Sequence, residues 1–449
     1  MSASGDSGTP EVASPERSIV VRDDDRSQCE IELWNLAEGS TLVIASSDLR
    51  SGIHSVRIEL PDEAVSGSQV DAAESPSPRL LPERLKAVED ETVPHLLTAS
   101  PGEFTSRRFM FPRFHENGFE LEMVVAVPVA HSENVLVYAT DSTSPNELSD
   151  LMKVGSRICQ ICEKVLLPRL KGLLGDVEDL DSDGRISLVI GRLDRRDLSV
   201  FSATDMPVQG CVKRSDYEWT ASGHLNDFGG DIVYLDHGIL QTPSLQAVLM
   251  HELTHAVIYS HLAHLYRASV VNPAASGRTK TGLSMPAWLN EAVAHLMELA
   301  VEEGSENYRI RRSWFESKPN LSPVVLPEHG ESLATRRGGA RAAGTRFLQS
   351  LQLDQSELQS LLYSGGDLSG RLHAAVGRDF PEAFTAWIES EAADLSYRGV
   401  AASLPATSFD FQLRGTAFHC FRVTSPLRWL RITSDDRSDL IVRVLKVDD

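Results

Sequence analysis

Apolar and polar residues alternate in four short runs near the start of the chain, Ser18 to Arg22, Cys29 to Trp34, Thr41 to Ala45 and His54 to Leu60. Period-two alternation puts successive side chains on opposite faces of an extended chain, so these runs predict strands of a small β domain. A stretch rich in Ser, Pro and Gly from Pro61 to Arg79 reads as a linker. Strand-like runs return at Arg108 to Phe111, Leu121 to Val129 and Val135 to Ala139. From Leu148 to Leu174 the apolar spacing lengthens to three and four, predicting a helix. Further strands are expected at Ile186 to Ile190 and Asp231 to Asp236, and helices follow from about Leu245 to about Leu395, interrupted at Arg336 to Gly344. Alternation resumes in Phe409 to Leu413, Cys420 to Val423, Trp429 to Ile432 and Leu440 to Val447, which predict a C-terminal sheet.

The order predicts an α+β protein. Its expected parts are a disordered tail (1–17), an N-terminal β domain (18–62), a linker (63–84), a central sheet-and-helix domain (85–303), a helical subdomain (304–398) and a C-terminal β domain (405–449).

Bulk composition narrows the function. The 64 acidic residues outnumber 43 basic ones, and a formal charge of −21 repels phosphate backbones and anionic lipid surfaces, so nucleic acid is not an expected partner. The strand-like run Met123 to Ala130 is too short to span a bilayer, and no longer apolar run exists, so no membrane association is expected. Met1 to Arg17 lacks the basic cluster and apolar core of a signal peptide, and five scattered cysteines make no disulfide framework. Cytoplasmic residence is the expectation. Cys159 and Cys162 form a C-x-x-C inside a helical run, where two apolar thiols read as core.

The central helix carries chemistry. Thr242-Pro243 offers an N-cap and a proline at the first helical position, and Asn272-Pro273 stops continuation. Leu245, Val248, Leu249, Leu253, Ala256 and Val257 make the helix apolar nearly all round, hence buried. Within it stands His251-Glu252-Leu253-Thr254-His255, the H-E-x-x-H pattern of zinc hydrolases. Residues four apart share a helix face, so both imidazoles can reach one ion. Two histidines and a glutamate in a buried helix are costly unless something binds them. After a loop from Val270 to Met285 comes a second helix with Trp288-Leu289-Asn290-Glu291, whose apolar neighbours suggest that Glu291 is also buried.

These two motifs resemble the gluzincin metallopeptidases, in which a glutamate within W-L-N-E on a second helix completes the zinc shell. The order of other segments is similar to the hyicolysin-like family: Asp176 to Ile186 with its D-x-D-x-D-G turn, Asp231 to Asp236, Thr345 to Leu348 and Gly377 to Trp387. Two positions depart from the pattern, Ala292 in place of glycine and His295 where an acidic residue is common. The resemblance implies a zincin (thermolysin-like) catalytic domain with a mixed sheet and an active-site helix. It implies zinc held by His251, His255 and Glu291, with Glu252 as general base toward an attacking water, and protein or peptide as substrate. It also implies an oxyanion-stabilising Tyr or His, with Tyr308 preferred over Tyr234 and His295, and a supporting role for Asn290 and His295. Asp231, Ile232, Val233, Tyr234 and Leu235 are implied to be an exposed edge strand that pairs with the substrate main chain.

Three further readings stay open. Asp179, Asp181 and Asp183 before Gly184 open like a calcium loop, but the twelfth position falls on Ile190, which excludes an EF-hand and favours an Asp-rich turn. His261 and His264 fall outside the phase of the histidine pair and read as surface or packing residues, as do most arginines at 309, 311, 312, 336, 337, 341 and 346, some of which could meet a substrate carboxylate. The alternative function is a protein-binding module on an inactive metallopeptidase scaffold. The intact Glu252 argues against it, because a structural site needs no base.

Overall fold

The computed structural model describes residues 29–49, 52–60, 105–115, 118–140, 145–194, 208–219, 225, 227–238, 244–271, 285–325, 335–434 and 440–446. The expected tail, the strand at Ser18 to Arg22, the linker, the Thr242-Pro243 cap, the Asn272-Pro273 stop and most of the loop after it lie outside those residues. The chain divides into two compact units, and both α and β elements are abundant.

One unit joins β1 (Cys29–Leu36), β2 (Thr41–Ser46) and β3 (Ile53–Glu59) to residues 316–325 and to the chain from Phe384 onward. The later chain supplies β10 (Ala402–Ser403), β11 (Phe409–Arg414), β12 (Phe418–Arg422), β13 (Leu427–Ser434) and β14 (Leu440–Leu445). Their two sheets have the orders β1-β13-β3-β11 and β10-β12-β2-β14. This corrects the expectation of separate N- and C-terminal β domains. Strands from the two ends mix within each sheet, β1 pairing with β13 from Cys29↔Ser434 to Leu36↔Leu427 and β2 lying between β12 and β14. The physical reason is burial: Ile31, Leu33, Val56, Ile58, Leu430 and Ile432 of one sheet share a core with Leu42, Ile44, Phe421 and Val442 of the other. Each strand set supplies only part of each layer, so the shared core is covered when the two sets combine.

The other unit holds a six-stranded mixed sheet, order β4-β5-β6-β7-β9-β8. Its strands are β4 (Arg107–His115), β5 (Gly118–His131), β6 (Val135–Thr140), β7 (Ile186–Gly191), β8 (Gly210–Cys211) and β9 (Ile232–Asp236). The centre, β6-β7-β9, is parallel, and the flanking pairs are antiparallel. Helix α1 (Pro145–Ile161) continues through a π-helical turn at Cys162–Leu166 into α2 (Leu167–Leu173). Cys159 and Cys162 are buried there, and burial pushes the Cys159 thiol up to about 11, as suits core thiols. Then come α3 (Leu245–Val271), α4 (Ala287–Val301), α5 (Glu306–Ser317), α6 (Thr335–Ser350), α7 (Gln355–Tyr363), α8 (Leu368–Val376) and α9 (Phe380–Tyr397).

The helical segment 304–398 is not a subdomain of its own. Helices α5 to α8 lie largely in the unit of the mixed sheet, and α4 packs on both α3 and α6. Between α6 and α4, Thr345 Oγ1 donates to the Ala292 carbonyl at 3.4 Å, and α6 meets α5 where Gly338 lies against the Trp314 ring with no room for a Cβ. From Phe384 on, α9 belongs to the β unit, where Trp387 meets Phe418 edge to face at 5.5 Å.

Candidate metal centre

Helix α3 is buried on nearly every side, with Leu249, Met250, Leu253, Ala256, Val257 and Ile258 all fully enclosed. His251, Glu252 and His255 are within 7% of full burial, so desolvation governs their chemistry. The histidine rings stand 4.8 Å apart and nearly perpendicular, with Nε2 atoms 3.2 Å from each other. Helix α4 starts after Pro286 and turns Trp288, Leu289 and Val293 into the core, which brings Glu291 to the same point from the other side. Its Oε2 lies 3.7 Å from His251 Nε2 and has no hydrogen-bond partner. One ligand atom each from His251, His255 and Glu291 falls within 4.8 Å of the others. Two imidazole nitrogens and one orphaned carboxylate oxygen converging in this way could hold a metal ion, as could the adjoining group of His251, His295 and Glu298.

The supporting groups are only partly those expected. His251 Nδ1 faces Glu298 Oε2 at 3.3 Å, an arrangement that turns Nε2 inward. Glu298 is fully buried and accepts from His295 Nδ1 at 2.8 Å, Asn307 Nδ2 at 3.0 Å and Ser305 Oγ. Burial alone would raise its pKa, but hydrogen bonds from His251 and His295, and their charge, hold the carboxyl well below the usual range. His295 and His251 therefore share the buried Glu298 carboxylate, with their rings 4.5 Å apart. Glu298 was missed in the sequence, although Glu291, His295 and Glu298 form an i, i+4, i+7 stripe that makes them one helix face.

Burial lowers His255 to about 4, helped by the charge of His251, which keeps this imidazole neutral. Burial also depresses His295, to about 3, whereas the carboxylates around His251 outweigh its burial and raise it. For Glu291, burial is overcome by Arg341, whose Nη2 donates to Oε1 at 2.9 Å, and by the histidines, so its carboxyl lies well below the ordinary range. Arg341 thus engages the carboxylate expected to be a ligand. Arg311 donates to the Asn307 side chain and carbonyl.

Glu252 sits beside the donor cluster, and burial raises its carboxyl to about 7 against the lowering effect of His251. It presses on β8: a Cβ on Gly210 would lie 2.5 Å from Glu252 Cγ. Only glycine admits the strand there.

This position of β8 corrects the expected substrate strand. Strand β9 is interior, paired with β7 on one side and β8 on the other, and Asp236 N donates to the Gln209 carbonyl at 2.9 Å. Ile232, Val233, Tyr234 and Leu235 are fully buried and Asp231 is 3% exposed. A strand covered on both faces reads as a continuous apolar run, as Ile232 to Leu235 does. Among the described residues the edge beside Glu252 is β8.

Tyr234 is turned into the sheet core and its hydroxyl donates to Asp216 at 2.8 Å, away from the donor cluster. Tyr308 is buried with its ring 6.0 Å from that of His295. Tyr259, one turn after His255, stacks beside it at 6.4 Å, and its hydroxyl accepts from Asn290 Nδ2 at 2.9 Å. Asn290 therefore holds a tyrosine at the site that the i+4 spacing from His255 could have revealed. His261 and His264 both face Glu178, at 3.6 and 3.7 Å, and take no part.

No protein-family model matches this chain, and no curated protein matches it either. Among the described residues no helix is long and apolar enough to cross a membrane.

Proposed function

We propose that the chain is a zinc-dependent peptidase of the gluzincin class with a zincin-type catalytic unit, similar to the hyicolysin-like family. The observation that carries this reading is the convergence of His251 Nε2, His255 Nε2 and Glu291 Oε2, from helices forty residues apart in sequence, directly beside a buried glutamate. His251, His255 and Glu291 hold the ion. When bound, zinc supplies positive charge that polarises a carbonyl and acidifies water.

The chain's own groups do the rest. Glu252 Oε accepts the proton of the attacking water and returns it to the departing amine, for which its desolvated position suits it. Glu298 keeps the His251 ring oriented. Arg341 fixes one oxygen of Glu291 so that the other faces the histidines. Tyr259 offers a hydroxyl hydrogen toward charge developing on the carbonyl oxygen. A peptide adds to the free side of β8 through main-chain hydrogen bonds, which favours protein or peptide substrates without strong side-chain selection.

The test combines metal analysis with cleavage of an unfolded protein. About one zinc per chain is expected, with cleavage abolished by chelator and reduced at least about a hundredfold in Glu252→Gln. Zinc-loaded wild type that cuts no peptide bond in a broad peptide library would overturn the reading.

A further inference from the structure

Arg341 is bonded to the donor cluster itself, its Nη2 donating to Glu291 Oε1 at 2.9 Å. Among the described residues Glu291 is its one acceptor, which leaves most of the donors on the guanidinium fork unused. His251, Glu252 and His255 are enclosed, whereas the side chains of Glu291 and Arg341 are each 26% exposed. The cluster therefore meets solvent on the α4–α6 side, and a substrate that reaches it passes the guanidinium. Only short side chains flank that approach on α6, since positions 338 to 344 are glycine or alanine apart from Arg341.

The spare donors stand where positive charge is in excess once an ion is held. Burial, then the charge of Arg341, lowers Arg311 to about 10, so two guanidiniums repel each other beside Glu291, Glu298 and Glu252. Against their burial, the Arg341 charge favours the ionised forms of Glu252 and Glu291. Three carboxylates thus face two guanidiniums, while the neighbouring Lys213–Asp216 and Arg214–Glu218 pairs cancel internally. A bound dication turns that slight negative balance into an excess of one positive charge. The group that answers both the charge and the planar fork is a carboxylate.

We propose that Arg341 is a specificity-determining residue, and that the site takes peptides presenting a carboxylate, at a free C-terminus or on an Asp or Glu side chain, beside the bond to be cleaved. For the place of that bond this rests on the peptidase reading. The Glu291 carboxyl group alone separates Arg341 from the histidine nitrogens, so the recognised carboxylate belongs within about one or two residues of the bond. Main-chain pairing on β8 selects little by itself, and Arg341 adds a charge-selective contact.

The experiment is equilibrium binding, by fluorescence anisotropy, to the zinc-loaded full chain carrying Glu252→Gln, which holds peptides without cutting them. The probes are labelled apolar hexapeptides of one sequence: amidated, ending in a free carboxylate, and amidated with a single Asp. At least one carboxylate peptide should bind about tenfold or more tightly than the neutral one, and which one it is identifies the source of the carboxylate. Adding Arg341→Lys, which keeps a cation for Glu291 but loses the fork, should shrink the preference to less than about threefold. An arginine that only holds Glu291 would instead weaken all three peptides alike. Equal affinity for the three peptides overturns the inference, and so does a preference that survives in both Arg341→Lys and Arg341→Gln. The first comparison needs no change at Arg341, so it decides even where those variants lose zinc. Wild type that cleaves neutral and acidic peptides equally leaves the peptidase reading standing without the anchor; carboxylate-selective binding with no cleavage of any peptide leaves the anchor standing without the peptidase.

Discussion

Replacing Glu298 by Gln separates a supporting carboxylate from a merely buried one. The side chain is fully enclosed, accepts hydrogen bonds from His295 Nδ1, Asn307 Nδ2 and Ser305 Oγ, and lies 3.3 Å from His251 Nδ1 as an ion pair. Glutamine keeps the shape but not the charge, and one of its two ends becomes a donor. The Ser305 hydroxyl can rotate to accept from that end, leaving the amide oxygen to the nitrogen donors. Hydrogen bonds to a charged group contribute about 1.5–3 kcal/mol each, against about 0.5–1.5 for neutral ones. Two weakened hydrogen bonds, from His295 and Asn307, would cost about 2 kcal/mol, of which the avoided burial of a charge returns part, for a net loss of about 1 kcal/mol. Urea unfolding of the metal-free protein reads this directly. The second effect is on the metal: with His251 no longer held by an anion, zinc affinity should fall about 10- to 100-fold in competition with a chromogenic chelator. A variant with wild-type zinc affinity would refute the positioning role, and an unchanged urea midpoint as well would refute the energetic reasoning.

Two other perturbations test neighbouring claims. Gly210→Ala places a methyl 2.5 Å from Glu252 Cγ, so peptide cleavage should fall by at least about a hundredfold while zinc content stays near wild type; unchanged turnover would remove Glu252 from contact with β8. In the β unit, His419 lies 4.3 Å ring to ring from Phe421, and burial lowers its imidazole from 6.5 to about 4. The folded form refuses a proton that the unfolded chain accepts, so its stabilising contribution is complete above pH 6.5 and is lost as pH falls toward 4. The gap sets a ceiling of about 3 kcal/mol, and partial exposure reduces it to about half that. His419→Phe should flatten this part of the pH–stability curve, and an equally steep curve in the variant would assign the slope to other groups.

What could be read in the sequence was what local spacing encodes. The alternation in Cys29 to Trp34 and His54 to Leu60 became β1 and β3, and the all-round apolar pattern about His251 became a buried α3. The H-E-x-x-H pair and Glu291 were brought together as their helical phases required. Pairing between distant segments left no such trace: β1 and β13 join residues about four hundred positions apart, and nothing in either run names the other. Gly210-Cys211 forms an edge strand of two residues, too short to carry any period. Glu298 and Tyr259 stood on legible stripes, but their role depends on which face of α4 or α3 meets the donor cluster, a matter of packing between helices.

The misreading of β9 shows how burial, more than motif order, identifies a strand that can accept a partner. A strand open to a new neighbour must leave one row of N–H and C=O groups unpaired, and proteins keep such edges short or interrupted. Ile232 to Leu235 has neither property, because four consecutive enclosed side chains require cover on both faces, β7 pairs along one side, and on the other β8 pairs with Tyr234 and Leu235 while the Tyr217 hydroxyl donates to the Ile232 carbonyl. Gly210-Cys211 has both: two residues long, at the sheet margin, and glycine where Glu252 leaves no space for a side chain. Under the peptidase reading, the same missing Cβ that lets β8 approach the general base also brings a peptide paired to β8 within reach of it. The recognition edge and the base are therefore coupled through one glycine, which is why Gly210→Ala is expected to reduce cleavage without touching a metal ligand.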